Sequence, residues 1–461
     1  MPSTEQPNIL FIFPDQWRAD CLGAAGHPVV RTPFIDGIAQ RGLRFTAAYT
    51  PSPTCIPARA SLLTGQSPSL CGRQGYRDRV PWEFQDTFVD RLNAAGYQTL
   101  QAGKTHFYPQ GAACGFEVMR TYEPQYLDPG YESDYHRWLR ETTDGHVWDT
   151  ARSHSNNTWV PLPWPHAEYL HPTNWNTDEA LRVLEARDRS RPFFLQVGYH
   201  RPHPPYDPPW HYFEQYRHQG LPSVPVGDWA EGWADHPVDP DSGTSGKLPE
   251  AVQDDSRRAY FAALTHIDHQ IGKLLYALKR LELTQNTWIV FVSDHGEMLG
   301  DHHRRHKIGP WEGSAAIPLL VQPPPGHEID AGGLRDTPVT LTDLAPTFIE
   351  LAGGSVPEKM DARSLAPLFR PGGSLEGREY VHGEHAGAHQ FVTDGREKLL
   401  WNSKTGEKWF FDLTTDPQET RNLADDRAAA DRVALWERRL AETLYAEHRR
   451  EDGLSDGKRL I

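Results

Sequence analysis

The segment Pro53-Thr-Cys55-Ile-Pro57-Ala-Arg59-Ala-Ser61-Leu-Leu-Thr-Gly65 sets a cysteine in a proline-bounded turn that opens a helix. By itself that cysteine reads as a small buried side chain as readily as a reactive one. Two acids stand in a more telling place. Asp15, followed by Gln16, comes directly after the apolar run Asn8–Phe13, and Asp294-His295-Gly296 follows the run Thr287–Ser293. Hard divalent cations take carboxylate and carbonyl oxygens, and imidazole suits several metals. One Asp at a strand end is an ordinary turn former, but two after separate buried strands point to convergence on one ion. Three further segments carry basic groups in fixed spacing: Gly103-Lys104-Thr105-His106, His200-Arg-Pro-His203-Pro-Pro-Tyr206, and His302-His303-Arg-Arg-His306-Lys307-Ile-Gly309. A lone Lys or His is usually solvated or packed; here each follows a strand or sits in a tight loop.

The elements that must position these groups are legible from periodicity. Asn8–Phe13, Pro192–Gly198 and Thr287–Ser293 are apolar without polar alternation, which predicts central strands of a sheet covered on both faces. Thr99–Ala102 reads as another strand before Lys104. Helical patterns at Thr87–Ala95, Thr177–Ala186 and Asp255–Leu281 lie between, so strands alternate with helices in an α/β sandwich. Polar groups just past strand C-termini are where such folds gather ligands. After the Pro/Gly-rich Pro367–Gly373 the texture changes to short β-like segments at Glu379–His382, Gln390–Thr393, Lys398–Trp401 and Trp409–Leu413. A helical pattern closes the chain at Ala428–Tyr445. The expected division is residues 1–371, a catalytic α/β domain, and 372–461, a small antiparallel sheet plus helix. Tyr206–Lys247, rich in Pro, Trp and Asp, reads as a surface insertion near the site.

The Cys55 segment resembles the type I sulfatase signature, Cys-x-Pro-x-Arg followed by Leu-Thr-Gly. Lys104-Thr-His106 resembles that family's Gly-Lys-Trp-His element with Thr for Trp, and Lys307 falls at its second sulfate-binding lysine. Trp409-Phe-Phe-Asp412-Leu413-Thr-Thr-Asp416-Pro417 is similar to its closing segment. These matches keep the family's order along nearly the whole chain, and the chain is identified as a member of the alkaline phosphatase superfamily. The resemblance implies a large mixed sheet sandwiched by helices and conversion of Cys55 to formylglycine by a separate formylglycine-generating enzyme. It also implies one divalent metal, calcium by family default with manganese or magnesium as alternatives, held by Asp15, Gln16, Cys55, Asp294 and His295. Family members more often carry a second Asp where Gln16 stands and Asn where His295 stands, so this site is less negative. By the same resemblance Lys104 and Lys307 bind the sulfate oxygens, Arg59 supports the aldehyde hydrate, His203 is the acid to the leaving oxygen and His106 the base. His200, Gln16 and Arg77 rank second as catalytic candidates.

The expected reaction is hydrolysis of a sulfate monoester, from a sulfated carbohydrate or an aryl sulfate. The alternative is a phosphonate monoester or phosphodiester hydrolase of the same superfamily, which the Arg-Pro-His203-Pro-Pro loop also resembles; a non-catalytic binding protein is a third reading. A formal net charge of -15 argues against a general nucleic-acid binder yet leaves room for a small anionic ester in a local basic pocket. Cys21, Cys71 and Cys114 have neither disulfide-scaffold nor zinc spacing and read as ordinary reduced thiols. Nothing in the sequence is apolar for long enough to span a bilayer. Met1–Pro7 shows no leader pattern, from which a cytoplasmic location is expected. Oligomeric state is left open.

Overall fold

In the computed structural model, which describes residues 6–124, 128–153, 155, 157–239 and 243–446, the apolar run at Asn8 becomes the middle of a sheet. The strands, in chain order, are β1 (Asn8–Ile12), β2 (Leu43–Phe45), β3 (Ala48–Tyr49), β4 (Gln98–Gly103), β5 (Val118–Thr121), β6 (Phe193–Gly198) and β7 (Thr287–Val292). They continue with β8 (Leu319–Gln322), β9 (Gly333–Arg335), β10 (Val339–Thr340), β11 (Val381–His385), β12 (His389–Thr393), β13 (Glu397–Asn402) and β14 (Lys408–Asp412). Eight of them form one sheet in the order β5-β4-β6-β1-β7-β8-β2-β9. Neighbours from β5 to β7 are parallel, whereas β8 runs antiparallel to both β7 and β2. The expected mixed sheet is therefore what forms, and its three apolar runs are the adjacent strands β6, β1 and β7.

Those runs lack polar alternation because both faces are covered. Ile9 and Phe11 point to one layer, where Phe348 of helix Leu344–Leu351 meets Phe11 with ring centroids 5.1 Å apart. Leu10 and Ile12 point to the other, against Tyr260, Leu264, Ile267, Ile271, Leu274 and Leu278 of helix Glu250–Arg280. The 3- and 4-residue steps in that series are the stripe an α-helix needs to face a sheet. Helix boundaries shift from the sequence expectation where caps decide them. The helix expected from Thr177 starts at Pro172, because His171 Nδ1 accepts from the Thr173 N–H at 3.1 Å and Pro172 takes the first helical position. The one expected from Asp255 starts at Glu250.

β11 to β14 form a separate antiparallel sheet with helix Ala430–Ala446 on one face. Alternation on β13 shows why both faces are apolar. Leu399 and Trp401 pack with Trp436 and Leu440 of the helix, while Leu400 faces Tyr49, Met298 and Trp311 of the main body. Residues 447–461 of the expected subdomain lie outside the described residues. The stretch Tyr206–Lys247 is less superficial than its composition suggested: Tyr206, Asp207, Tyr212 and Tyr216 are buried. Trp229 stacks on Trp311 at 5.3 Å and 9°, so those aromatics join the insertion to the body. Among the described residues no helix is long and apolar enough to cross a membrane.

Candidate active site

Strands β4, β6, β1 and β7 are consecutive and parallel, so their C-terminal ends share one edge of the sheet. Lys104 follows β4, His200 and His203 follow β6, Asp15 follows β1 and Asp294 follows β7. Four sequence segments thus meet because of strand order, as expected for the carboxyl edge of an open sheet. Gly103 and Gly198 end adjacent strands, and a Cβ on either would collide with the backbone of the other strand's end. Their lack of a side chain lets the Lys104 N–H reach the Gly198 carbonyl at 2.7 Å and draws the two loops together.

Cys55 is the first residue of helix Cys55–Thr64, every residue of which is buried. The helix N-terminus, with its unpaired N–H groups, favours negative charge at that position. Sγ lies 3.2 Å from His295 Nε2 and 3.6 Å from Asp15 Oδ1. Arg59, one turn on, donates from Nε to Asp294 Oδ2 at 2.9 Å and from an NH2 to Asp15 Oδ2 at 3.3 Å, and stacks over Phe13 at 4.6 Å. Lys104 Nζ bonds the same Asp15 oxygen. Lys307 is tied to this region by the Ile308 N–H, which donates to the Pro53 carbonyl at 3.0 Å.

Burial works against the ionised carboxylate of Asp15, but Lys104, His203, Arg59 and Lys307 hold it well below the usual range. Burial and Asp15 likewise oppose the Cys55 thiolate, yet Lys307, Lys104 and His295 draw the thiol down to about 5. The ligand atoms of Asp15, Cys55, Asp294 and His295 all lie within 4.8 Å of one another, and all four residues are buried. Two carboxylates and an imidazole fit one divalent cation, and an oxygen in place of the Cys55 sulfur would make the set more suited to a hard ion. Gln16, the fifth expected ligand, has its amide engaged beside them. Its Oε1 accepts from Lys307 Nζ at 2.6 Å, its Nε2 donates to Glu297, and its backbone N–H donates to Asp294 Oδ1 at 3.0 Å. Gln16, His106, His306 and Ile308 all have positive φ, a concentration of backbone strain around the site.

Neither ring nitrogen of His106 has a hydrogen-bond partner among the described residues, and Asp78 Oδ1 stands 3.8 Å from Nε2. His203 is fixed by its Nδ1, 2.8 Å from the Pro204 carbonyl, and its N–H donates to the Asp15 carbonyl at 3.2 Å. His200 is its neighbour, with ring centroids 4.7 Å apart. Among the described residues no contact places Arg77 in the cluster. Three acids escaped the sequence reading. Glu297 is fully buried and holds Gln16 and the backbone N–H groups of Leu299 and His306. Glu123 fixes the Lys104 loop by accepting from the N–H groups of Thr105 at 2.7 Å and His106 at 3.0 Å. Asp207 anchors Arg201 with two bonds of 2.5 and 2.6 Å. Glu297, three residues after Asp294, had a positional signal; Glu123 and Asp207 had none, because their partners are set by tertiary packing.

The family model described as Sulfatase matches residues 7–355, and the model described as N-sulphoglucosamine sulphohydrolase, C-terminal, matches residues 300–446. An arylsulfatase of Clostridium perfringens is 37% identical over 474 aligned residues, covering 99% of this chain and 97% of that one. Among solved structures, the phosphonate monoester hydrolase of Agrobacterium radiobacter aligns with a TM-score of 0.78 at 25% identity, covering 96% of this chain and 95% of that one. A protein solved in complex with its substrate D-glucosamine-2-N,6-O-disulfate also aligns with a TM-score of 0.78, over 97% of this chain and 99% of that one; at 22% identity the likeness is one of fold.

Proposed function

The chain belongs to the sulfatase family, and from that premise we propose that it hydrolyses sulfate monoesters with a nucleophile made from Cys55. The observation that carries the reading is the position of Cys55: buried at a helix N-terminus, within the acid–imidazole group and beside the ammonium groups of Lys104 and Lys307. A formylglycine at this position, produced by a formylglycine-generating enzyme as partner in maturation, would supply through its hydrate an oxygen nucleophile and a second hydroxyl for product release. A divalent cation held by Asp15, Asp294, His295 and the residue-55 oxygen, with Gln16 beside them, would supply Lewis-acid charge and a lowered hydroxyl pKa; calcium is the first choice, manganese or magnesium the alternatives.

The chain's own groups divide the remaining work. Lys104 and Lys307 neutralise the anionic oxygens of the ester, and burial strengthens that attraction by excluding water. Arg59 keeps Asp15 and Asp294 close together despite their like charge. His203 delivers a proton to the leaving oxygen, its ring angle held by Pro204. His106 accepts a proton at the residue-55 side; burial opposes its charged form, but Asp78, 3.8 Å from Nε2, and Cys55 raise its basicity. The aromatics of the insertion are used in packing, so they do not favour a sulfated carbohydrate over an aryl sulfate as the substrate.

Phosphonate monoester hydrolysis is the second reading, favoured by the likeness to the Agrobacterium enzyme and by the neutral Gln16. One preparation, matured beside a formylglycine-generating enzyme, decides between them. Mass spectrometry of the Cys55 peptide should show loss of the thiol, and an aryl sulfate should be cleaved in preference to an aryl phosphonate. An unmodified thiol together with turnover overturns the nucleophile assignment; preference for the phosphonate overturns the substrate.

A further inference from the structure

His200 reads from sequence as a second-rank, structural residue; its hydrogen bonds say otherwise. We infer that His200 presents a fixed Nε2–H donor to an oxygen of the bound ester group, and that Arg201 is the positioning residue that sets its tautomer. The Arg201 guanidinium faces His200 Nδ1. A guanidinium only donates, so Nδ1 must carry the lone pair and the neutral ring must carry its hydrogen on Nε2. Arg201 is held in that pose: 1% exposed, it is bonded twice to Asp207 at 2.5 and 2.6 Å and lies 3.5 Å from Tyr122 Oη. Tyr122 in turn donates to Asp149 at 2.9 Å, and Asp149 meets His136 Nε2 at 2.9 Å.

The front of the ring is the unusual part. His200 is 2% exposed and its Nε2 has no partner among the described residues. Lys104, His203 and Asp15 are the titratable groups around it besides Arg201. A buried N–H without an acceptor is disfavoured unless a ligand completes it. His203 has the opposite tautomer. Its Nδ1 lies 2.8 Å from a carbonyl, which only accepts, so the neutral ring has its hydrogen on Nδ1 and a bare Nε2, the atom that must take up a second proton before His203 serves as the acid. The neighbouring rings therefore offer the substrate one donor and one acceptor, and the ready donor is His200.

The identity of the ester rests on the sulfatase reading, while the tautomer does not. The test compares matured wild type with His200→Ala and His200→Gln, since the glutamine side-chain amide can place an N–H near the Nε2 position. Aryl sulfate kinetics, inhibition by inorganic sulfate, and nitrogen-15 spectra of histidine-labelled enzyme are the readouts. Alanine should lower kcat/KM by about 10- to 100-fold, the range for a hydrogen bond to a charged group, and weaken sulfate inhibition; glutamine should stay within about threefold of wild type. The resonances lost in His200→Ala should show Nε2 protonated and Nδ1 bare. A folded glutamine variant as impaired as alanine, or an unimpaired alanine variant, overturns the donor. A protonated Nδ1 overturns the Arg201 role. If alanine does not fold, glutamine and the wild-type spectrum decide. Wild type that fails to cleave aryl sulfates refutes the functional reading and leaves the spectrum to judge the tautomer.

Discussion

Replacing Arg59 by methionine removes the guanidinium that separates two buried carboxylates and keeps an apolar stem over Phe13. Breaking a buried ion pair on one side commonly costs about 3–5 kcal/mol. The lower end applies here, because neither acid is left bare. Asp294 Oδ1 still accepts from the N–H groups of Gln16 and His295, each at 3.0 Å, and Asp15 still has Lys104. A loss of about 3 kcal/mol, at a urea m-value of roughly 3 kcal/mol/M, moves the unfolding midpoint down by about 1 M. The measurement is best made on the thiol form, produced without a formylglycine-generating enzyme, so that failed maturation cannot contribute. Calcium or manganese should then raise the midpoint more in Arg59→Met than in wild type. In the variant the cation is the missing counter-charge, whereas in wild type it shares the two acids with Arg59. A loss below about 1 kcal/mol, or an equal gain from the metal in both proteins, would refute the view that Arg59 and a cation act on the same carboxylate pair.

Three further outcomes follow from named contacts. Lys398, fully buried between the small sheet and the body, bonds Glu312 at 2.8 Å and Glu419 at 3.1 Å. Lys398→Met should lose about 3–5 kcal/mol, and adding Glu419→Gln should recover part of it; additive losses in urea melts would show the three groups are not coupled. Asp268 accepts from the Ile35 and Phe34 N–H groups at 2.8 and 3.3 Å, and burial raises its pKa from 3.8 to about 7. The folded state then holds a proton that the unfolded chain releases between those values, so this group's stability is full at low pH and is lost as pH rises through about 7. Asp268→Asn should flatten the fall in melting temperature between about pH 4 and 7, and an unchanged slope counts against it. His203→Gln should lower kcat/KM by about 10²–10⁴-fold for aryl sulfates with poor leaving groups and far less for activated ones; a uniform loss across the series excludes it as the acid.

The chemistry-bearing residues were legible because each sits at a local landmark. Asp15 and Asp294 end continuous apolar runs, Lys104 follows a strand-like stretch, and Cys55 lies in a proline-bounded helix start. Runs without polar alternation also announced a sheet with two covered faces, and the alternation on β13 follows from a helix on one side and the body on the other. Helix starts were less legible where a cap such as His171 extended the helix beyond its apolar stripe.

What sequence alone determined was which residue types stand at strand ends and in which order along the chain. Their meeting required the order β4-β6-β1-β7, a property of crossovers that set Asn8 beside Thr287 and Ile9 beside Phe194, which no local pattern encodes. The same holds for the partners that tune them. Glu123 behind the Lys104 loop and Asp207 behind Arg201 are ordinary acids in sequence, and Glu297 under Gln16 is marked only by its place three residues after Asp294. Only packing decided that each would be buried against one particular donor. Histidine tautomers belong to that second kind of information. His200 and His203 look alike in the chain and differ because one ring meets a guanidinium and the other a carbonyl. A hydrogen's position on imidazole is set by the single atom opposite it, and that atom is chosen by the tertiary fold.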